Sequence, residues 1–382
     1  MRLLTAGESH GPGLVALVEG VPAGVPVDPR AVDADLRRRQ LGYGRGGRQR
    51  IERDSARFTG GVRQGRTTGG PVAMLIENRD FANWERVMSV TPVPDPAPPV
   101  TQMRPGHADL AASLKFGYTD VRDSIERSSA RETAARVAAG AIAKAVLQVA
   151  GIRVRSETKV IGDVEAVPTF DDERVEASEV RCSDEGASAR MIDAIRSAKA
   201  DGDTLGGIVA LRASGLVPGL GSFAEWDRRL DGRIAQALCS IQSAKGVQFG
   251  DAFAAARERG SRVHDPIVLG EGGRFARTRN RAGGLEGGVT NGEDLLVELA
   301  FKPISTLMNP LPSVDLHTGE PAPGHIERSD TCVIPAAGVV AEAMLAFVLA
   351  DALVEKFGSD SASDLVAALE RYRARLRPVD LR

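Results

Sequence analysis

The chain has 382 residues, with 49 basic and 51 acidic side chains and a formal charge of −2, so it lacks the basic surplus with which nucleic-acid binders displace counterions. Aromatic residues make up 4%, too few for the stacking platforms of single-strand binders, while 42% hydrophobic content is that of an ordinary globular protein. Cys182, Cys239 and Cys332 are widely spaced and form neither a disulfide framework nor a zinc motif, as suits a reducing cytosol.

The N-terminus, MRLLTAGESHG, places charge and glycine where a signal peptide has an apolar run, so a cytoplasmic location is expected. Leu14–Glu19 and Val72–Ile76 read as strands bounded by glycine and proline. Ala31–Arg39 reads as a short amphipathic helix. Pro92–Pro99 carries five prolines in eight residues and is expected to be an extended surface segment. Arg131–Ala150 is the clearest helix, with Ser128 or Ser129 to cap it and Gly151 to end it. Ala187–Ala200 and Asp227–Ala244 are two further expected helices. Ile334–Leu353 is apolar enough to resemble a membrane span, but Pro335 opens it and Glu342 and Asp351 interrupt it, so a buried helix running to Phe357 is expected. Two buried helices among short strands, without a βαβ fingerprint, predict an α+β fold, a β-α-β sandwich with helices between antiparallel sheets. No linker divides residues 1–382, and a single interwoven domain is the reading.

Four segments carry candidate chemistry. Of the 49 basic residues 42 are arginine, and seven of these (Arg37, Arg38, Arg39, Arg45, Arg48, Arg50, Arg53) fall between Leu36 and Arg53 with Glu52 as the only acid. Gly42, Gly44, Gly46 and Gly47 mark the segment as a loop able to fold over a polyanion. A nucleic-acid-binding arm is the competing reading. Two of the five histidines, His10 and His107, sit in glycine-flanked turns, where a ring titrating near neutrality can reach a cleft or simply be exposed. Asn280–Gly292 offers many backbone amides but neither dinucleotide nor P-loop spacing, and it reads equally as a broad turn. Lys302-Pro303-Ile304-Ser305-Thr306 follows a strand and combines a cation with two hydroxyls, a plausible phosphate grip. Arg328-Ser329-Asp330 precedes the Pro335 helix, where the carboxylate serves as a cap or as an acid–base group.

GESHG (Gly7–Gly11), RSSARETAARVAAGAIA (Arg127–Ala143) and RSDTCVIPAAGVV (Arg328–Val340) resemble the three signatures of the chorismate synthase family. GYGRG (Gly42–Gly46), RPGHAD (Arg104–Asp109), DGDTLGG (Asp201–Gly207), NRAGGLEGGVTNG and KPIST follow in the family's order. The resemblance runs from Met1 to about Gly358, with Val93–Val100 and Val164–Ser183 matching poorly. It implies a lyase of the shikimate pathway to aromatic amino acids. The reaction would be a 1,4-anti elimination of phosphate from 5-enolpyruvylshikimate 3-phosphate, redox-neutral overall yet dependent on reduced FMN.

By the same resemblance, His10, aided by Ser9, protonates the departing phosphate. His107 sits by the flavin, and Asp330 belongs to the route that accepts the C6 proton. Arg39, Arg45, Arg48, Arg131 and Arg328 clamp the anions. Arg127, Ser128, Ser129, Gln242, Ser243, Gly287, Lys302, Pro303, Ile304, Ser305, Thr306 and Arg328 surround FMN, while Arg39 and Arg45 are positions the family associates with NADPH. No metal is implied. A homotetramer fed by an external flavin reductase is the expected assembly, without nucleic-acid or membrane partners. A flavin or NADPH oxidoreductase, which consumes reductant at each turnover, and a non-enzymatic anion- or RNA-binding protein, with steeply salt-dependent binding, are the alternatives.

Overall fold

The computed structural model describes residues 1–46, 53–270, 273–327 and 330–376. Two antiparallel sheets carry most of the strands. In the first, the strand order is Arg2–Ala6, Gly13–Glu19, Val72–Glu77, Ala56–Gly60. Period-two patterning sets its inner face: Leu14, Ala16 and Val18 lie opposite Ile76, Met74 and Val72, all of them buried. The second sheet runs Ala244–Phe249, Leu295–Phe301, Gly207–Ser214, Arg153–Ile161, Val164–Glu165. Here Leu295, Val297 and Leu299 oppose Ala213, Leu211 and Val209, again all buried.

Helices follow the order α1 (Pro29–Gln40), α2 (Asp109–Phe116), α3 (Arg122–Ser128) and α4 (Thr133–Val149), with a long core helix at Ile334–Phe357. Asp28 caps α1, its side chain accepting from the Arg30 amide, with Pro29 in the first turn. Helix α4 contacts Gly13–Glu19 and Val72–Glu77 of the first sheet and Arg153–Ile161 of the second, while the core helix packs on Arg153–Ile161 and Gly207–Ser214. One apolar core therefore continues through both sheets and the helices, and the class is α+β. The core helix is apolar and long enough to cross a bilayer by length alone, but its most apolar stretch is 94% buried in the protein. Gly140 makes its contact with α4 possible, because a Cβ there would lie 2.2 Å from Ala343 Cβ.

One carboxylate interrupts that helix. Glu342 is 1% exposed and accepts from Arg38 at 2.9 Å through both oxygens, Lys144 at 2.8 Å, and the Ser156 amide and hydroxyl at 3.0 and 2.7 Å. Burial alone would raise its pKa, yet Lys144, Arg38 and Arg181 hold it well below the usual carboxylate range. A cleft of about 890 Å³ opens here and is lined by Arg38, Lys144, Arg155, Arg181 and Glu342 among others. Four of its cations are spent on carboxylates: Arg38 on Asp35, Glu176 and Glu342, Lys144 on Asp35 and Glu342, Arg181 on Glu176 and Glu342, Arg155 on Asp172.

Two expectations change, and two open alternatives are decided. The arginine-rich segment is not wholly a loop, since Leu36–Gln40 forms the last turns of α1 and only residues after Gln40 leave the helix. The expected helix at Asp227–Ala244 is a 3-10 turn at Trp226–Arg228 and a helix at Leu230–Cys239. Ser243 then adopts φ +67° and Ala244 opens a strand that pairs with Leu295–Phe301, so sheet pairing overrides a weak helical pattern. Asn280–Gly292 contains a short hairpin, Leu285–Glu286 against Val289–Thr290, which is the broad-turn alternative. Asp330 does not cap the core helix, whose N-cap is Val333.

Candidate active site

His10 lies in the turn between the first two strands, only 7% exposed. Gly7 makes that turn possible, with φ +106° and space so tight that a Cβ would meet the Gly13 carbonyl at 2.3 Å. Glu126 of α3 grips His10 twice: Oε2 accepts from the backbone N–H at 2.7 Å and Oε1 meets ring Nδ1 at 2.8 Å. The ring stacks on Trp84, centroids 3.8 Å apart at 28°, and the Arg122 guanidinium sits 5.4 Å from the centroid of the same indole. Arg122 donates to Glu126 at 3.3 Å and to Glu327 at 2.7 Å, and His325 lies 3.3 Å from Glu327. Burial disfavours the Glu327 charge, but hydrogen bonds from His325 and Arg122, with the charges of Arg122 and His10, hold its carboxyl down at about 2. Ser9 stands beside His10, its hydroxyl accepting from Ser129 at 3.1 Å.

From Ser129 the chain enters α4 and meets the arginines. Arg131 donates to Asp54 at 2.6 Å, and Arg39 approaches the same oxygen at 3.6 Å while bonding Thr133 Oγ1 and the Ala130 carbonyl, each at 2.8 Å. Two buried guanidinium groups thus meet at one carboxylate oxygen. Arg45 donates to Asp330 at 2.6 Å, and the Gly46 amide reaches the other Asp330 oxygen at 2.6 Å. Arg45 Nε is buried with no hydrogen-bond partner among the described residues. Gly44 permits this approach, since at φ +89° its Cα faces Ile195 and Cys332 too closely for a comfortable side chain.

His107 is held by a second carboxylate. Its Nδ1 lies 2.5 Å from Asp109 Oδ1, and Arg104 binds Asp109 at 2.9 and 3.1 Å. Arg104 Nη2 also comes within 3.1 Å of Nδ1, but a nitrogen that donates to Asp109 cannot accept from an arginine. The shorter contact to a carboxylate decides, so Nδ1 carries the proton. Burial would raise the Asp109 pKa, yet His107 and Arg104 hold it well below the usual range. Arg104 continues to Thr306 Oγ1 at 3.2 Å, and Lys302 Nζ donates to the Gly106 carbonyl at 2.7 Å. Burial, then repulsion from Lys245, lowers the Lys302 pKa, the state of an ammonium in want of an anion.

These groups form a closed circuit. Ser9 touches Ser129; Ala130 receives Arg39; α1 leads to Arg45 and Asp330; the Thr331 carbonyl accepts from Leu205 at 2.9 Å; Thr204 bonds the Ile304 carbonyl at 2.7 Å. Thr306 then reaches Arg104 and His107, and Gly324, against which Pro105 packs, leads through Glu327 and Arg122 back to Glu126 and His10. Of the remaining predicted residues, Ser243, Gln242, Arg127 and Ser128 neighbour it, whereas no described contact ties Gly287 to it. Lys302 N donates to the Ser243 carbonyl at 2.9 Å, and Gln242 bonds Glu132 at 3.2 Å with its Oε1 buried and unpartnered. Arg127 turns to backbone and hydroxyl oxygens of Thr5 and Gly7, and Ser128 bonds the Ser124 carbonyl within α3. Gly287 occupies the hairpin tip, where an added Cβ meets nothing. Arg48 and Arg328 lie outside the described residues. Among the described residues no group of three or more potential ligands is arranged for a metal.

Sequence reasoning missed Glu126, Arg122, Trp84, Glu327 and Asp54. The Arg122–Glu126 spacing is an i,i+4 pair legible in principle, but nothing local links Glu126 to a ring 116 residues away. Arg104 and Asp109 stood inside the quoted RPGHAD segment without being assigned a role.

A sequence model described as chorismate synthase matches residues 1–354. The chorismate synthase of Symbiobacterium thermophilum is 55% identical, with 99% of each chain covered. That of Thermus thermophilus is 51% identical over 99% of this chain and 100% of its own. A crystal structure of chorismate synthase superposes with a TM-score of 0.78 at 38% identity, covering 98% of each chain. With so full a match in sequence and in fold, the chain belongs to the chorismate synthase family and is a lyase that forms chorismate in the shikimate route to aromatic compounds.

Proposed function

We propose that this circuit binds 5-enolpyruvylshikimate 3-phosphate beside reduced FMN and drives the 1,4-anti elimination of phosphate. The observation that carries the reading is the closed circuit itself, in which two carboxylate-held imidazoles, the Arg39–Arg131 pair, Arg45 and Lys302 are linked by hydrogen bonds and short steps along the chain. A ligand with one phosphate and two carboxylates needs several fixed cations in a low-dielectric cleft. The donor set also fits FMN. Lys302 has a depressed pKa that an anion would relieve, Arg45 Nε and Gln242 Oε1 are buried with no hydrogen-bond partner among the described residues, and Gly287 leaves open space. Arg127, Ser128, Ser129, Gln242, Ser243, Gly287 and Lys302 through Thr306 are the residues proposed to hold it, with Arg328 added on the resemblance alone. When bound, the reduced flavin lends electron density that assists loss of the phosphate and takes it back.

The protein groups then have separate tasks. Arg39, Arg45 and Arg131, with Arg48 and Arg328 by resemblance, orient the substrate's anionic groups. His10 passes a proton to a phosphate oxygen as the C3–O bond breaks, and the Ser9 hydroxyl hydrogen-bonds the same group. His107 keeps the protonation of the neighbouring flavin balanced. Asp330 lies on the path of the C6 proton, and it is released for that task as Arg45 exchanges it for a substrate carboxylate. NADPH at Arg39 and Arg45 rests on the resemblance alone, and the same arginines serve the substrate.

The wider setting is read in the same spirit. The main core, which runs through both sheets, α1, α4 and the core helix, supports one domain over residues 1–382, and α4's contacts to both sheets support the β-α-β sandwich. The exposed Ile267, Leu269 and Phe275 on a two-stranded ribbon supply apolar surface for a homotetramer. A cytoplasmic setting with an external flavin reductase completes the reading. Anaerobic incubation with chemically reduced FMN and the substrate is expected to yield chorismate and inorganic phosphate in equal amounts with no net oxidation of flavin. Absence of product would overturn the proposal, and reductant consumed at each turnover would mark an oxidoreductase instead.

A further inference from the structure

We propose that Glu126 is the positioning residue that fixes which nitrogen of His10 handles the proton, an inference that rests on the reading of His10 as the acid for the departing phosphate. Glu126 is 2% exposed, so protein donors rather than water must satisfy its carboxylate. Three converge on it: the His10 backbone N–H at 2.7 Å, ring Nδ1 at 2.8 Å and Arg122 Nη1 at 3.3 Å. With a guanidinium among its donors, this carboxylate acts as acceptor, and the ring contact therefore requires Nδ1–H. Proton exchange with the substrate is thereby confined to Nε2.

The described elements around the ring support the same orientation. Helix α3 contributes Glu126 and Arg122, the segment before Asp330 contributes Glu327 and His325, and Trp84 fixes the ring plane by stacking at 3.8 Å. The step balances without any further reagent. The Nε2–H bond breaks, its electron pair stays on the ring, and the proton passes to a phosphate oxygen. The neutral ring that remains keeps Nδ1–H on Glu126, ready to regain a proton at Nε2. A purely structural Glu126 would be needed only to close the turn, a task that the Ser9 amide, donating to the Glu126 carbonyl at 3.1 Å, already shares.

Glu126→Gln separates the two roles. A carboxamide has one oxygen, so it cannot accept from both the backbone N–H and Nδ1. Keeping the backbone bond turns its NH2 toward the ring and favours the opposite tautomer. The expected result is a fall in kcat of ~10-fold or more, with KM for the substrate and the affinity for reduced FMN changed less than about twofold. If Glu126 acts through His10, adding Glu126→Gln to His10→Ala costs nothing further. Equal losses in both backgrounds, or unchanged turnover in the single variant, would overturn the proposal. Nitrogen-15 NMR of histidine-labelled wild-type protein, with His10→Ala to identify the signal, gives a readout independent of activity and of variant folding. Nδ1–H in the neutral ring is expected, and Nε2–H would defeat the assignment. Undiminished turnover in His10→Ala would instead remove the catalytic reading of His10, and the tautomer result would still answer for Glu126.

Discussion

The ring of His10 meets Glu126 at 2.8 Å and the ring of His107 meets Asp109 at 2.5 Å, each through Nδ1 and each with an arginine on the same carboxylate. Around this shared bond the two pockets diverge. Next to His10 lie a second carboxylate, Glu327, and a stacked indole, and the arginine is divided between two acids. Next to His107 one carboxylate faces one arginine through two hydrogen bonds, and the imidazole is twice as accessible, at 18% against 9%. Setting the rings aside, Glu126, Glu327 and Arg122 sum to −1 and Asp109 with Arg104 to zero. The first pocket thus sets two acids and one arginine against its ring and the second one of each, a difference that goes with the proposed proton donation by His10. A carboxylate–imidazole pair is thus a common mounting, and the charges behind it assign the task.

The sharpest break in that comparison comes from alanine at each ring. His10→Ala is expected to lower kcat by ~10²-fold or more with flavin affinity nearly intact, because one proton transfer is lost. His107→Ala should alter the flavin's spectrum and affinity as well. Equal effects on flavin binding would erase the division of labour. Stability should divide the pockets next. Asp109→Asn leaves Arg104 buried beside a neutral amide, and a broken buried pair costs about 3–5 kcal/mol. Urea unfolding is expected to show a larger loss than for Glu126→Gln, whose arginine keeps Glu327.

Acid sharpens the picture further. Glu327 is held at about 2 from an ordinary 4.5, so its contribution to stability is complete above pH 4.5 and disappears as pH falls toward 2. Glu327→Gln is expected to flatten the stability profile in that window, and an unaltered profile would deny the Arg122–His325 network its role. The smallest effect concerns Lys302, whose ammonium is lost at lower pH than usual. FMN affinity should begin to weaken below pH 10.5 on the alkaline side, and Lys245→Ala should move that limb upward. Titration of flavin binding against pH checks both.

Much of the frame was legible because it rests on periodicity. Leu14–Glu19 and Val72–Ile76 alternate, Arg131–Ala150 is apolar on nearly every side, and the two charges in the Ile334 segment marked it as a core helix. Side-chain destination was less visible. Arg38 and Arg39 are neighbours in sequence, yet about 100° of helical rotation separates them, sending one to Glu342 and the other to Asp54 and Ala130. A count of arginines treats both as anion ligands, whereas burial of Glu342 removes Arg38 from the site. Glycine-flanked turns made both histidines candidates and the family resemblance gave them roles, but their carboxylates went unseen, because Glu126 reaches His10 only through tertiary folding.

The most direct test is a structure of the chain with FMN and 5-enolpyruvylshikimate 3-phosphate bound. The account predicts the substrate phosphate within hydrogen-bond reach, about 2.6–3.2 Å, of His10 Nε2, with the flavin between His107 and the Lys302–Thr306 segment. A phosphate bound instead in the Arg38–Glu342 cleft, or a flavin remote from both imidazoles, would contradict it.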